Sequence, residues 1–226
     1  MSEKLEFIIQ TKQDMKNAVE TLGFLPLFRN SIPGFSVEEH AAPSAWFADS
    51  PGVWEWKGPI IRETGCAYGK FFERKAAFIS MEWFLDFANF RRDGYDFDAR
   101  FDDGLASMRD KTLFELIDGN TPILSRQLKK LGDYRKGGNT GFDTSMSRLQ
   151  AQCYCVISDF VYLTDRHGRQ YGWGVAEYST PEKFMGERFT EAVYRRTPEE
   201  SRRRVAEYLQ SLFPHVQETV IRKLLQ

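Results

Sequence analysis

Apolar positions recur at helical spacing in several stretches of the chain, and residues that start or stop helices punctuate most of them. Met15, Ala18, Val19 and Leu22 fall at i, i+3, i+4 and i+7 between a Thr11/Asp14 capping pair and Gly23, which predicts one amphipathic helix. Ser80 is placed to cap a second helix, Met81 to about Arg92, with Phe84 and Phe87 along one side. Thr197-Pro198-Glu199-Glu200 supplies an N-cap, a proline at the first helical position and a glutamate three residues on. Val205, Tyr208, Leu209 and Leu212 then repeat until Pro214, and a short helix from His215 to Leu225 follows.

The ring-rich run from Cys66 to Ser80 predicts two short strands, or a strand leading into a helix. Residues 41–65 hold Pro43, Pro51, Gly52, Gly58 and Pro59 beside Trp46, Trp54 and Trp56, which predicts an ordered connection pinned by its aromatics.

Residues 108–179 carry the most organised pattern. Leu113, Leu116 and Ile117 mark a helix from Met108 that stops at Gly119-Asn120. A second helix starts near Thr121-Pro122 or Ser125, turns Leu124, Leu128 and Leu131 inward, and ends at Gly132. After a Gly-rich loop, a third runs from Phe142 to about Gln152, with Phe142, Met146 and Leu149 on its inner side. Residues 153–163 and 170–178 then alternate as a β-hairpin around the turn Asp165-Arg166-His167-Gly168. Three helices and a hairpin are the order of a winged helix-turn-helix. The expected architecture is therefore α+β. A winged helix at about 105–180 packs between an N-terminal aromatic segment, 1–104, and C-terminal helices, 181–226.

Charge alters this picture only locally. The 31 Lys+Arg and 32 Asp+Glu leave a formal charge of -1, which excludes a uniformly basic nucleic-acid binder. From Thr121 to Gln150, however, six basic residues face two acidic ones, a local balance of +4. Thr144, Ser147, Arg148 and Ala151 lie opposite the apolar face of the third helix, a set small enough to enter a major groove and able to reach base edges. Arg135 and Lys136 in the preceding loop, with Arg166 and Arg169 at the hairpin tip, are candidates for phosphate contacts. Duplex DNA is the expected partner, and protein contact through the same face is the bland alternative.

Other chemistry is thinly signalled. Gly137-Gly138-Asn139-Thr140-Gly141 lacks the spacing of a phosphate-binding loop. Asp96, Asp98, Asp102 and Asp103 lack the glycine and the closing glutamate of a calcium loop. Cys153 and Cys155 are expected on one face of a strand as buried thiols, and no metal or cofactor signature accompanies them. Rings between Trp54 and Phe84 interleave with Lys57, Lys70, Arg74, Lys75, Arg91 and Arg92, as expected of a core whose rim carries basic side chains. Cysteine usage suits a reducing cytoplasm, and the sequence contains no apolar run of membrane-spanning length.

Three segments carry a family resemblance: WEWKGPIIRETGCAYGKFFERKAAFISMEWF, FDTSMSRLQAQ and YGWGVAEYSTPE, between about residues 54 and 182. The chain resembles the bacterial AlkZ/YcaQ-type winged-helix superfamily and looks most similar to its AlkZ-related branch. In the glycosylase members, tandem winged helices surround duplex DNA and excise alkylated or crosslinked bases, and a Gln-x-Gln or Gln-x-Asp pair positions the attacking water. The resemblance implies Gln150 and Gln152 as that catalytic pair. Two residues apart on a helix they would project ~200° apart, so sharing a water requires Gln150 at the helix end and Gln152 beyond it. Three functions stay open on the sequence: a DNA-binding module, a glycosylase-like enzyme and a protein-interaction scaffold.

Overall fold

A computed structural model describes residues 7–47, 51–167 and 170–226. The capping pair at the start of the chain forms as its chemistry requires. Thr11 Oγ1 accepts from the Asp14 N–H at 3.2 Å, and Asp14 accepts the Thr11 N–H at 2.9 Å. Helix α1, Lys12–Leu22, then buries Met15, Ala18, Val19 and Leu22 and ends at Gly23 with φ 69°. Strand β1, Phe24–Pro26, and three helices follow: α2, Val37–His40; α3, Pro43–Phe47; and α4, Val53–Thr64.

Helix α4 lies where the sequence predicts an aromatic-pinned connection. Its turn formers mislead for identifiable reasons. Gly52 is the N-cap, its N–H held by Glu55 Oε2 at 2.8 Å, and Pro59 sits inside the helix. Gly58 presses against strand β5 so closely that a Cβ there would lie 2.6 Å from Asp159 Oδ1. The aromatic pinning is present as well, with the Trp46 and Trp54 rings edge to face at 5.3 Å.

Next come β2, Ala67–Phe72, and β3, Lys75–Ile79, two strands rather than a strand leading into a helix. Helices α5, Met81–Arg92, α6, Phe97–Asp102, and α7, Met108–Asn120, lead to β4, Ile123–Leu124. Asp96 caps α6 through the Ala99 N–H at 2.8 Å, which is what that acidic cluster does locally. Helices α8, Ser125–Leu131, and α9, Phe142–Ala151, precede the hairpin β5, Val156–Thr164, and β6, Gln170–Ser179. The chain finishes with α10, Pro181–Met185; α11, Glu187–Thr190; α12, Pro198–Leu212; and α13, Glu218–Leu224. No helix among the described residues is long and apolar enough to cross a membrane.

The result is a mixed α+β fold with two three-stranded antiparallel sheets, ordered β1-β3-β2 and β4-β6-β5. The hairpin register runs from Val156 opposite Ser179 to Thr164 opposite Gln170, with two bulges. Two details of the sequence reading need correction. Leu131, expected inward, is 54% exposed, because α8 ends there and only Leu128 is buried. Cys153 and Cys155 do not share a strand face. Strand β5 begins only at Val156, and Cys153 sits in the left-handed region at φ 62°.

The first sheet separates two hydrophobic clusters. Alternation along β3 sends Phe78 to one side, with Met15, Trp56, Tyr68 and Leu149, and Ala77 and Ile79 to the other, with Phe24, Phe71, Phe84 and Leu209. Of the rings interleaved with basic residues, Trp56, Tyr68, Phe71, Phe72 and Phe84 are buried, as expected of core, whereas Trp54 and Trp83 are half-buried and Lys57, expected on the rim, is buried.

Candidate nucleic-acid interface

Helix α9 buries Phe142, Met146 and Leu149 and turns Asp143, Thr144, Ser147 and Arg148 outward. Its outer side forms one wall of a groove of about 700 Å³, which continues past Ala151 to Gln152. Phe71 and the β2–β3 turn form the opposite wall, together with Arg91 of α5. That turn places Glu73 and Arg74 at φ 49° and 59°, a conformation usually left to Asn and Gly. Glu73 braces it by accepting from the Ser31 N–H at 3.3 Å and from Lys75 Nζ at 3.4 Å. Arg74 is exposed and has no ion-pair partner among the described residues. Sequence reasoning singled out neither Glu73 nor Asp143, the carboxylates that share the groove with Gln152.

The two glutamines part company. Gln150 is 2% exposed; its Oε1 accepts the Lys70 N–H at 3.2 Å and its Nε2 donates to the Met146 carbonyl at 3.2 Å. Gln152 is the C-cap of α9, half-buried, and lines the groove. Lys70, absent from the sequence-derived candidates, also donates through Nζ to Ser147 Oγ at 3.0 Å, so β2 braces α9 at two points.

The candidate cations occupy different electrostatic settings. Arg148, about half exposed, holds Nε 3.1 Å from Oδ2 of Asp110, whose side chain is only 3% exposed. Ser107 Oγ donates to the same oxygen at 2.8 Å, while Asp110 Oδ1 is buried without a hydrogen-bond partner among the described residues. Arg135 is exposed and pairs with Asp133 at 2.5 Å. Lys136 is exposed in the same loop, and Arg166 at the hairpin tip donates through Nε to His167 Nε2 at 3.0 Å. These three do not line the groove. Arg169 lies outside the described residues. Thr144, Ser147, Arg148 and Gln152 are therefore brought together, and the loop and wing cations stand apart from them.

Behind the groove sits a residue that was expected on the rim. Arg92 is fully buried. It donates through Nη2 and Nε to the Cys153 carbonyl at 2.8 and 3.3 Å, and through Nη1 to Glu182 at 2.5 Å and Tyr194 at 3.0 Å. The Tyr154 and Phe189 rings flank it at 4.6 and 5.0 Å. Burial opposes its charge, but Glu182 and Tyr194 outweigh that and hold the guanidinium protonated. Its helical phase, one turn beyond the buried Ala88, is the signal that could have found it. Burial also pushes the Cys66 and Cys153 thiols up to about 12 and raises Cys155, so none is a ready nucleophile. No group of three His, Cys, Asp or Glu among the described residues is placed to hold a metal ion.

A family model described as AlkZ related matches residues 9–226. No curated protein and no solved structure matches the chain.

Proposed function

The chain belongs to the AlkZ-related family, and on that premise we propose that it binds duplex DNA as a winged helix, with α9 as the recognition helix. The proposed unit spans about 105–180, with α7, α8 and α9 as its helices, β4 as the short strand between the first two, and β5–β6 as the wing. The observation that carries the reading is the outward face of α9, where Thr144, Ser147 and Arg148 sit together above a well-anchored apolar side. Short hydroxyl side chains beside an arginine let a helix approach base edges closely. Lys136 and Arg166, exposed and without carboxylate partners among the described residues, are suited to the phosphates on either flank. Arg135 is the weaker candidate, because Asp133 offsets its charge.

Fluorescence anisotropy with a labelled duplex tests this directly. Binding at low salt that weakens steeply as salt rises supports the reading, whereas no binding at low salt refutes it.

A glycosylase-like activity is the second reading, favoured by one observation: Gln152 opens into a groove that also holds the carboxylates Glu73 and Asp143. A neutral amide orients water but needs a base or a developing sugar cation beside it, and in this reading Glu73 or Asp143 takes that part once released from its lysine partner, Lys75 or Lys129. Gln150, with both ends of its amide committed, is assigned to the scaffold in this reading. Incubation with alkylated duplex, followed by assay for free base, separates an enzyme from a binding module. A scaffold for protein contacts would show neither DNA affinity nor base release.

A further inference from the structure

Arg148 is the one cation on the exposed face of α9, and it does not stand free. Its Nε lies 3.1 Å from Oδ2 of Asp110, a side chain almost wholly buried on α7. Ser107 fixes the same oxygen from the other side at 2.8 Å, so the carboxylate is itself held in place. Among the described residues nothing hydrogen-bonds the terminal nitrogens of Arg148, and its side chain remains 46% exposed beside the groove. The guanidinium is thus ion-paired at its inner edge and open at its outer one.

We infer that Asp110 is a positioning residue that presents the two terminal nitrogens of Arg148 end-on to a guanine, making the pair the determinant of base preference. The inference rests on the DNA-binding reading and extends it from affinity to specificity. Two physical arguments favour a base over a phosphate. A buried carboxylate offsets most of the charge of Arg148, so the residue has little Coulombic attraction left for the backbone. A planar donor fork kept near α9 by an ion pair to an anchored carboxylate matches the O6 and N7 acceptors of guanine, which demand geometry more than charge. Lys136 and Arg166, without such carboxylates, have the opposite character.

The pair therefore has a signature that a plain phosphate contact lacks: it governs which sequence is bound but hardly governs salt dependence. Selection of bound duplexes from a random-sequence pool identifies the preferred site, and anisotropy then compares that site with one changed from guanine to adenine. The wild-type protein is expected to prefer guanine by about tenfold. Asp110→Asn keeps shape and removes the carboxylate's charge, and should cut the preference to about twofold or less without lowering the salt slope, since it leaves Arg148 with more charge for the backbone. Arg148→Lys, which retains charge but not the planar fork, should do the same. In an Arg148→Ala background, Asp110→Asn should change the preference no further.

Retention of the guanine preference in Asp110→Asn overturns the inference. So does a uniform loss of affinity for all duplexes together with a lowered melting temperature, which would make Asp110 a brace between α7 and α9. A wild-type protein that binds duplex without favouring guanine overturns the inference but leaves the DNA-binding reading standing. Absence of duplex binding at low salt removes both.

Discussion

The side-chain oxygen of Gln150 accepts the backbone N–H of Lys70 at 3.2 Å, tying the last turn of α9 to strand β2. This bond joins residues 80 positions apart in the chain. Gln150→Ala would strand that N–H and the space around it, at a cost of about 1–2 kcal/mol. Gln152→Ala, at the half-buried helix end, should shift stability by no more than about 0.5 kcal/mol. Urea denaturation of the two single variants measures the contrast, and equal losses would contradict it.

Arg92 makes a larger demand on the fold. Arg92→Met removes a fully buried charge and leaves Glu182 and the Cys153 carbonyl without their donor. Removal of one partner from a buried pair costs about 3–5 kcal/mol. Chemical denaturation should show a loss in that range, and a variant as stable as the wild type would refute the assignment.

Lys57 provides a pH test. It is buried between the Trp54 and Phe160 rings, 4.8 and 4.2 Å from their centres. Burial pulls its pKa from 10.5 down to about 8, although Glu55 acts to raise it. Between those values the unfolded chain binds more protons than the folded one, so this residue's contribution to stability rises with pH across that window. The penalty is fully present below about pH 8 and amounts to no more than about 3 kcal/mol. Lys57→Met should therefore be stabilising at pH 7, with an advantage that shrinks as pH approaches 10.5. Unfolding free energies of both proteins across this range check the sign, and a constant difference would sink the prediction.

If the loop and the wing contact phosphates, Lys136→Ala and Arg166→Ala should each lower the log–log salt slope of duplex binding by about 0.9. Arg135→Ala should have a smaller effect, because Asp133 already sits 2.5 Å from its guanidinium. Anisotropy titrations over a range of salt separate the three, and equal slopes for all of them would count against this division of labour.

Much of the architecture was readable from local chemistry. Capping boxes at Thr11 and Thr197 announce α1 and α12 because side chain and backbone satisfy each other within four residues. Phe142, Met146 and Leu149 likewise declare the inner side of α9. Helix α4 was hidden because Gly58 and Pro59 read as turn formers, whereas the glycine serves close approach to β5, a partner about 100 residues away. The site was legible in part for the same reason. The outward residues of α9 follow from its period, but Asp110 and Lys70 meet that helix, and Glu73 the groove, only through tertiary packing. Arg91 and Arg92 look alike in sequence, and the helix phase buries one fully and leaves the other at the groove.

Strand β3 faces both hydrophobic clusters, and that ties the chain to one reading frame there. Inserting or deleting one residue in Lys75–Ile79 would carry Phe78 across the sheet and bring Ala77 or Ile79 back in its place. Each cluster would then receive a side chain of the wrong volume at the same moment, and neither could relax without disturbing the other. Length variation should accordingly collect elsewhere, at the tip of the β5–β6 hairpin, while the short hairpin of β2 and β3 keeps its count.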